Sequence, residues 1–400
     1  VSAGFDLVTT RILVPVLFLL WFVRGLAQKK VRIPNRAETW LVVVFLFLSA
    51  LSLALGRDAD AGFRKLLYLF SIFPVFFVAA DVFCEKKWRD RGLAAIAASG
   101  AIAAAVAFFQ FSLPFFLGVG KAVKIWENLA PFFLGKSFGE LVAANSSWLV
   151  NIGGVTRMRA FGFFPDPHNF AFFVDLCLFV ALGYFAGRKN TSRFWLGLAA
   201  ITMIVAAILS FSRGAYFGLI AGALFFAIAF LKRSSILGKS AVIAGLVLAI
   251  VFLLNSNIIS QRLVSSFNFK EGSNAERYKN WTQAVEIVRD NPLGGVGLGN
   301  YARTVDPALA GDRSSIYAHN LFLDIAAETG ILNAIVFLAL LLVSVRRGVK
   351  NGNALGLGIA AGLVGFAVHS MFDTALYSPQ VLAIFLVIIA LNLCQKFKKI

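Results

Sequence analysis

The sequence predicts an all-α polytopic membrane protein with eleven transmembrane helices and a large helical outer loop. Three observations carry that prediction. The 400 residues are 59% hydrophobic, with a mean hydropathy of +0.80, whereas soluble domains are roughly half apolar. Runs such as Thr39–Leu55, Phe194–Phe211 and Ala215–Leu231 stay apolar over about the 17–25 residues that a membrane helix needs, without the alternation of a β-barrel strand. The charge is also sorted. The loops assigned to the cytoplasm hold 21 cations against Glu38, Glu85 and Asp90, which equals the chain's whole net charge of +18. That is the positive-inside bias of an inserted protein, so the basic balance implies no nucleic-acid partner.

The spans follow in order. The first runs Leu7–Leu26 and leads into the basic loop Gln28–Arg36. The second is Thr39–Leu55, and a short outer loop, Gly56–Lys65, follows it. The third, Leu66–Phe83, contains Pro74 as a kink point. A basic loop, Cys84–Arg91, precedes span four at Gly92–Leu117. Residues 118–169 form a first outer segment, whose aromatic, amphipathic pieces suit helices lying in the interface. Spans five to eight are Phe170–Gly187, Phe194–Phe211, Ala215–Leu231 and Ser240–Leu254, with Ser212–Gly214 as a tight outer turn. Residues 255–330 form the large outer loop. Spans nine to eleven are Ile331–Val345, Ala354–Phe372 and Gln380–Cys394. Each loop assigned inside carries at least three cations near a span, so residues 1–400 read as one membrane domain. The odd count puts Val1 outside, and the missing initiator Met implies one further N-terminal span, twelve in all.

Several classes find no support. There is no GxxxxGK[ST] nucleotide loop and no internal repeat of the transporter kind. Cys84, Cys177 and Cys394 lack ligand spacing and read as small packing residues rather than metal ligands or a disulfide. Asp58 and Asp60 are the one close acidic pair; loop solvation is the plain reading and a metal–diphosphate site the sharper one. Three histidines without HxxxH or HExxH spacing give no zinc motif.

The chemistry-bearing residues cluster in the outer segments. Arg213 lies between two apolar spans with almost no loop around it. A cation at that depth needs a partner or a task, either snorkelling and pairing with a carboxylate or clamping a phosphate, which the planar guanidinium suits. Arg277 shares a helical face with Trp281, four residues on, and reads either as a solvated arginine paired with a nearby glutamate or as a second clamp. NPLGGVGLGNY, residues 291–301, suits a bend joining two helices or a close backbone approach to a ligand. It follows no strand, so it implies no dinucleotide fold. His319 opens AHNLFLDIAAETG as a candidate general base or a capping residue, with Glu328 placed to orient or counterbalance it. His168 in DPHN and His369 are further candidates.

In combination these pieces resemble the O-antigen ligase family, which includes O-antigen polymerases and protein O-oligosaccharyltransferases. The resemblance rests on GFFPDPHNFA at residues 162–171, SRG at 212–214, ERxxxW at 276–281 with the glycine-rich stretch behind it, AHNLFLDIAAETG at 318–330 and VHSMFD at 368–373, in that order on one side. It implies a GT-C-type glycosyltransferase of the bacterial inner membrane, acting in lipopolysaccharide biosynthesis with its active site facing the periplasm. The donor would be a glycan on undecaprenyl diphosphate and the acceptor a lipid A–core glycolipid, with no metal and no cofactor. Arg213 and Arg277 would hold the diphosphate, His319 would deprotonate the acceptor hydroxyl, and Asp373 would be a further site residue. Asn320, Glu328, Arg159 and His168 complete the substrate-binding candidates. A polymerase or a protein O-oligosaccharyltransferase is the alternative within the family. A lipid-linked sugar flippase is the alternative outside it; it would place charges at mid-membrane, where Asp81 and Asp175 leave some room.

Overall fold

The computed structural model describes residues 9–29, 31–135, 139, 142, 146–187, 192–231, 257–265, 272–309 and 317–394. Span eight, Ser240–Leu254, lies outside the described residues, as do the chain's first residues and its basic tail. Within them the chain is a helical bundle. Seven helices are long and apolar enough to cross a membrane, and three shorter apolar helices, Phe194–Leu209, Ala354–His369 and Pro379–Leu393, accompany them.

The order is α1 (Thr9–Ala27), α2 (Ala37–Leu51), α3 (Ala59–Ile72), α4 (Pro74–Val82), α5 (Lys86–Leu117) and α6 (Val119–Leu134). A hairpin follows, β1 (Leu149–Ile152) with β2 (Val155–Met158), paired antiparallel from Leu149↔Met158 to Ile152↔Val155. Then come α7 (Pro167–Ala186), α8 (Ser192–Leu209), α9 (Arg213–Leu231), α10 (Asn257–Val264), α11 (Gly272–Asp290), α12 (Tyr301–Val305), α13 (Leu321–Thr329), α14 (Ile331–Lys350), α15 (Ala354–His369) and α16 (Pro379–Leu393).

Pro74 divides span three into α3 and α4, as expected, because a proline donates no backbone hydrogen bond and clashes with the preceding turn. Helix α15 sits at the centre, buried along nearly its whole length. Its glycines let neighbouring backbones approach. A Cβ at Gly365 would lie 2.8 Å from the Gly218 carbonyl of α9, the small-residue contact that membrane helices use in place of a hydrophobic drive. Helix α1 is the opposite case, its outward face lined by Leu13, Leu20 and Val23.

Two sets of contacts tie the connecting segments together. At one end, the Arg347 guanidinium of α14 holds Glu38 of α2, with Nη2 2.8 Å from Oε2. There, too, Asn351 Nδ2 donates to Asn392 Oδ1 at 2.8 Å. At the other end, Asp58 caps α3 by accepting from Ala61 N at 2.9 Å, and its own N–H donates to Asn300 Oδ1 at 2.7 Å. Leu321 N donates to Ser370 O there at 2.8 Å. Asp58 is therefore a helix cap and a docking point rather than a solvated loop acid.

Four expectations need correction. The basic loop Cys84–Arg91 is largely helix, because α5 starts at Lys86. Ser212–Gly214 is not a free turn, since α9 begins at Arg213. The first outer segment holds a strand pair beside its helices, turning at Gly153 and Gly154, both at positive φ. Cys84 and Cys394 are joined as a disulfide across 310 residues, a pairing that local spacing cannot report.

The glycine-rich stretch forms the bend expected of it, and the close approach is to the protein's own backbone. Gly297 has φ +92°, and a Cβ there would collide with the Gly56 backbone. Val296 N donates to Ala327 O at 2.8 Å. Gly297→Val should therefore cost about 1–3 kcal/mol in backbone strain and more through the collision, lowering the melting temperature of the detergent-solubilised protein. Wild-type melting would mean that the bend is not docked there.

Candidate active site

One end of the bundle converges on Asp373. This carboxylate lies in the segment between α15 and α16 and is 4% exposed. Three donors from three elements surround it. His168 Nδ1, at the start of α7, is 2.7 Å from Oδ2. His319 Nδ1, just before α13, is 3.2 Å from Oδ1. Arg277 Nη2, on α11, is 3.3 Å from Oδ1 and 3.4 Å from Oδ2. Burial alone would push the Asp373 carboxyl up. His168 and Arg277 beside it, with hydrogen bonds from both histidines, outweigh burial and hold it well below the usual carboxylate range.

His319 is held at φ +52°, the left-handed region that few non-glycine residues adopt. Its neighbours fix that turn. Asn320 caps α13, its Oδ1 accepting from Phe322 N and Leu323 N at 3.1 and 3.2 Å, so the cap is Asn320 and not the histidine. Trp281 Nε1 donates to the His319 carbonyl at 3.4 Å. Arg277 and Trp281 thus reach the same turn from one face of α11, as their spacing predicted. Burial works to lower the His319 pKa, but the hydrogen bond and charge of Asp373 prevail and raise it. The imidazole is 37% exposed against 5% for the Asp373 side chain. One partner is open to an incoming molecule and the other is sealed.

Arg213 is buried at the head of α9 and donates from Nη1 to the Ser265 carbonyl at 3.3 Å. The same carbonyl accepts from Asn274 Nδ2 of α11 at 2.9 Å, which ties Arg213 to the helix bearing Arg277. Arg159 is 4% exposed and donates to Ser210 O at 2.8 Å and Ser147 O at 3.0 Å. Its Nη2 lies 3.5 Å from His168 Nε2. Glu328 stands apart from this cluster: both its oxygens are 2.7 Å from Lys65 Nζ. His369 is sealed inside the bundle, stacked on Phe172, with Nδ1 3.9 Å from Asp175. Asp81 accepts from Trp21 Nε1 at 2.9 Å.

Sequence reasoning missed three supports. Asp324 accepts from Ala318 N at 2.7 Å and from the Thr374 hydroxyl, clasping the segments that carry His319 and Asp373. Burial pushes its carboxyl up to about 6. The Ser212 hydroxyl lies 2.9 Å from His168 Nδ1. Gln110 of α5 binds the Arg159 carbonyl and the Phe161 N–H, each at 3.0 Å. A polar residue inside an apolar run was the available signal for Gln110.

His168, His369 and Asp373 place one ligand atom each within 4.8 Å of one another. A metal there would have to break the His168–Asp373 bond and sit beside two guanidiniums, Arg277 and Arg159, which suits an anion better than a cation. Arg277 Nε is buried with no partner among the described residues, so its fork keeps donor capacity beyond Asp373.

Residues 198–338 match the family model described as O-antigen ligase. The chain is also 21% identical over 367 residues to the ComP-specific O-oligosaccharyltransferase of Acinetobacter baylyi, a match covering 89% of this chain and 61% of that relative's length.

The site makes one prediction that needs no substrate. Asp373→Asn removes the two main causes that raise the His319 pKa and leaves burial, the largest cause, and Arg277 against the weaker pull of Asp324, so the pKa should fall below its ordinary value near 6.5. The pH dependence of His319 carbethoxylation, read by peptide mass spectrometry, checks this. An unmoved titration would mean that Asp373 does not govern His319.

Proposed function

Because residues 198–338 match the O-antigen ligase family model and the chain is similar to an O-oligosaccharyltransferase, we propose that it is a membrane glycosyltransferase of that family, moving a glycan from undecaprenyl diphosphate to an acceptor hydroxyl on the periplasmic face. The observation that carries this reading is the His319–Asp373 pair beside Arg277, an open base backed by a sealed carboxylate next to an anion-binding fork.

In the proposed reaction Asp373 accepts a hydrogen bond from the Nδ1–H of His319, keeping the proton on Nδ1 and so leaving Nε2 as the base, the same logic by which a buried aspartate sets the tautomer in hydrolytic triads. His319 Nε2 takes the acceptor's hydroxyl proton. The acceptor oxygen bonds to the anomeric carbon, and the bond from that carbon to the phosphate oxygen breaks. Its electron pair leaves on the diphosphate. Arg213 and Arg277 hold that developing charge, fixed donors doing what a divalent ion does elsewhere. No metal and no cofactor take part. Asn320 and Glu328 act through structure, by capping α13 and by pairing with Lys65.

The preferred acceptor is a lipid A–core glycolipid, which makes the protein an O-antigen ligase of the bacterial inner membrane. The similarity to an O-oligosaccharyltransferase favours a second reading, a protein hydroxyl as acceptor; polymerisation of repeat units is a third. Reconstitution with labelled undecaprenyl-diphosphate glycan and each acceptor class decides between them by which product gains label.

His319→Ala should cut transfer by about 10²–10⁴-fold, and Arg213→Ala or Arg277→Ala by about 10²–10³-fold, with membrane insertion unchanged. Full transfer by the purified His319→Ala protein would sink the mechanism. The rate should fall as pH drops through the raised His319 pKa, because only the neutral imidazole accepts a proton. EDTA should leave the rate unchanged; a loss restored by Mg²⁺ or Mn²⁺ would overturn the metal-free reading.

A further inference from the structure

We propose that His168 is a positioning residue that fixes the Asp373 carboxylate for His319, and that Arg159 sets the tautomer with which it does so. The inference rests on the reading of His319 as the base. It assigns His168 and Arg159 a task other than substrate binding.

The carboxylate has two oxygens and each faces a different histidine. His168 Nδ1 is 2.7 Å from Oδ2 and His319 Nδ1 is 3.2 Å from Oδ1. The shorter bond is to His168, so that histidine anchors the group. Arg277 Nη2 lies almost equally far from both oxygens, 3.3 and 3.4 Å, and so does not select a rotation. Without His168, only the longer Arg277 bond would hold Oδ2, and the carboxylate would be free to turn onto Arg277 and away from His319.

The tautomer follows from what stands on the other side of the ring. A guanidinium carries donors only. With Arg159 Nη2 3.5 Å from His168 Nε2, that nitrogen presents its lone pair, and the ring proton sits on Nδ1, aimed at Asp373. Arg159 is itself pinned by the Ser210 and Ser147 carbonyls. Asp166 caps α7 through His168 N and Asn169 N, both at 2.8 Å, which fixes the backbone under the ring. The charged and titratable groups facing this chain are His369 behind Asp373, Asp324 near His319, and Arg159 and Asp166 near His168. Ser212 adds a neutral hydroxyl.

Three variants test the assignment. The amide nitrogen of His168→Asn occupies the place of Nδ1, that of His168→Gln the place of Nε2, and His168→Phe keeps the ring with no donor. Transfer by purified, reconstituted protein gives kcat and the donor KM. Carbethoxylation of His319 gives its titration whether or not His319 is the base.

Loss of the positioning bond should lower kcat by about 10–100-fold, the usual effect of removing an orienting partner, without raising the donor KM. The His319 pKa should fall, in the same direction as in Asp373→Asn. Both effects should appear in His168→Phe and His168→Gln and be restored in His168→Asn. A raised donor KM with kcat and titration unchanged would mean that His168 binds substrate, and a His319 pKa that rises or stays put would overturn the positioning role. If His168→Phe fails to insert, the Asn and Gln variants decide alone. If His319→Ala proves active while the titrations behave as stated, the base reading fails and the coupling of His168 to His319 stands.

Discussion

A buried carboxylate is costly unless every lone pair is answered, and desolvation of one ion amounts to several kcal/mol. Asp373 answers that cost with His168, His319 and Arg277, drawn from three segments far apart in sequence. The segments can meet only if their helices are held in register at that end of the bundle. Much of the surrounding structure serves this purpose. Asp324 clasps the two segments bearing His319 and Asp373, Leu321 N reaches Ser370 O, and Arg159 draws the start of α7 against the end of α8. Breaking any one of these loosens the segments that bring partners to the buried carboxylate, so the contacts at this end of the bundle depend on one another.

How far this was legible depends on which physical signal sets each element. Where hydropathy decides, the reading was close, as for α14 from Ile331 and α15 from Ala354. Where backbone or side-chain caps decide, it slipped. Phe211 takes a left-handed φ of +48° and ends one helix so that the next can start at Arg213. Hydropathy has no access to that single dihedral. The hairpin was missed although Gly153–Gly154 between Val- and Ile-bearing runs is a recognised turn signal, because the segment was weighed only for amphipathic helix.

The site shows the same division. Arg277 and Trp281, four apart, face one target because a helix returns to nearly the same side every fourth residue. Glu328 was placed with His319 on proximity in sequence alone. His319 lies ahead of the Asn320 cap and outside α13, so helical spacing does not relate the two side chains, and Glu328 meets Lys65 instead. The His168–Asp373 bond spans the bundle, and no periodicity could have revealed it. Resemblance placed both residues at the site and left their mutual contact unstated.

The donor proposed for this chain carries a diphosphate, so under that proposal the cluster has to reconcile a resident carboxylate with an incoming anion. A lone aspartate would repel that ligand. Around Asp373 stand Arg277 in direct contact, Arg159 one residue removed through His168, and Arg213 joined to α11 through Ser265. With both histidines neutral, two guanidiniums, Arg277 and Arg159, act on the Asp373 carboxylate. Arg277 Nε is buried with no partner among the described residues, so the fork that holds Asp373 keeps capacity for the anion of the proposed reaction. The sealed carboxylate and the open imidazole are complementary for the same reason. Charge that must persist through the reaction is shielded from water, while the group that must meet the acceptor is left at the surface.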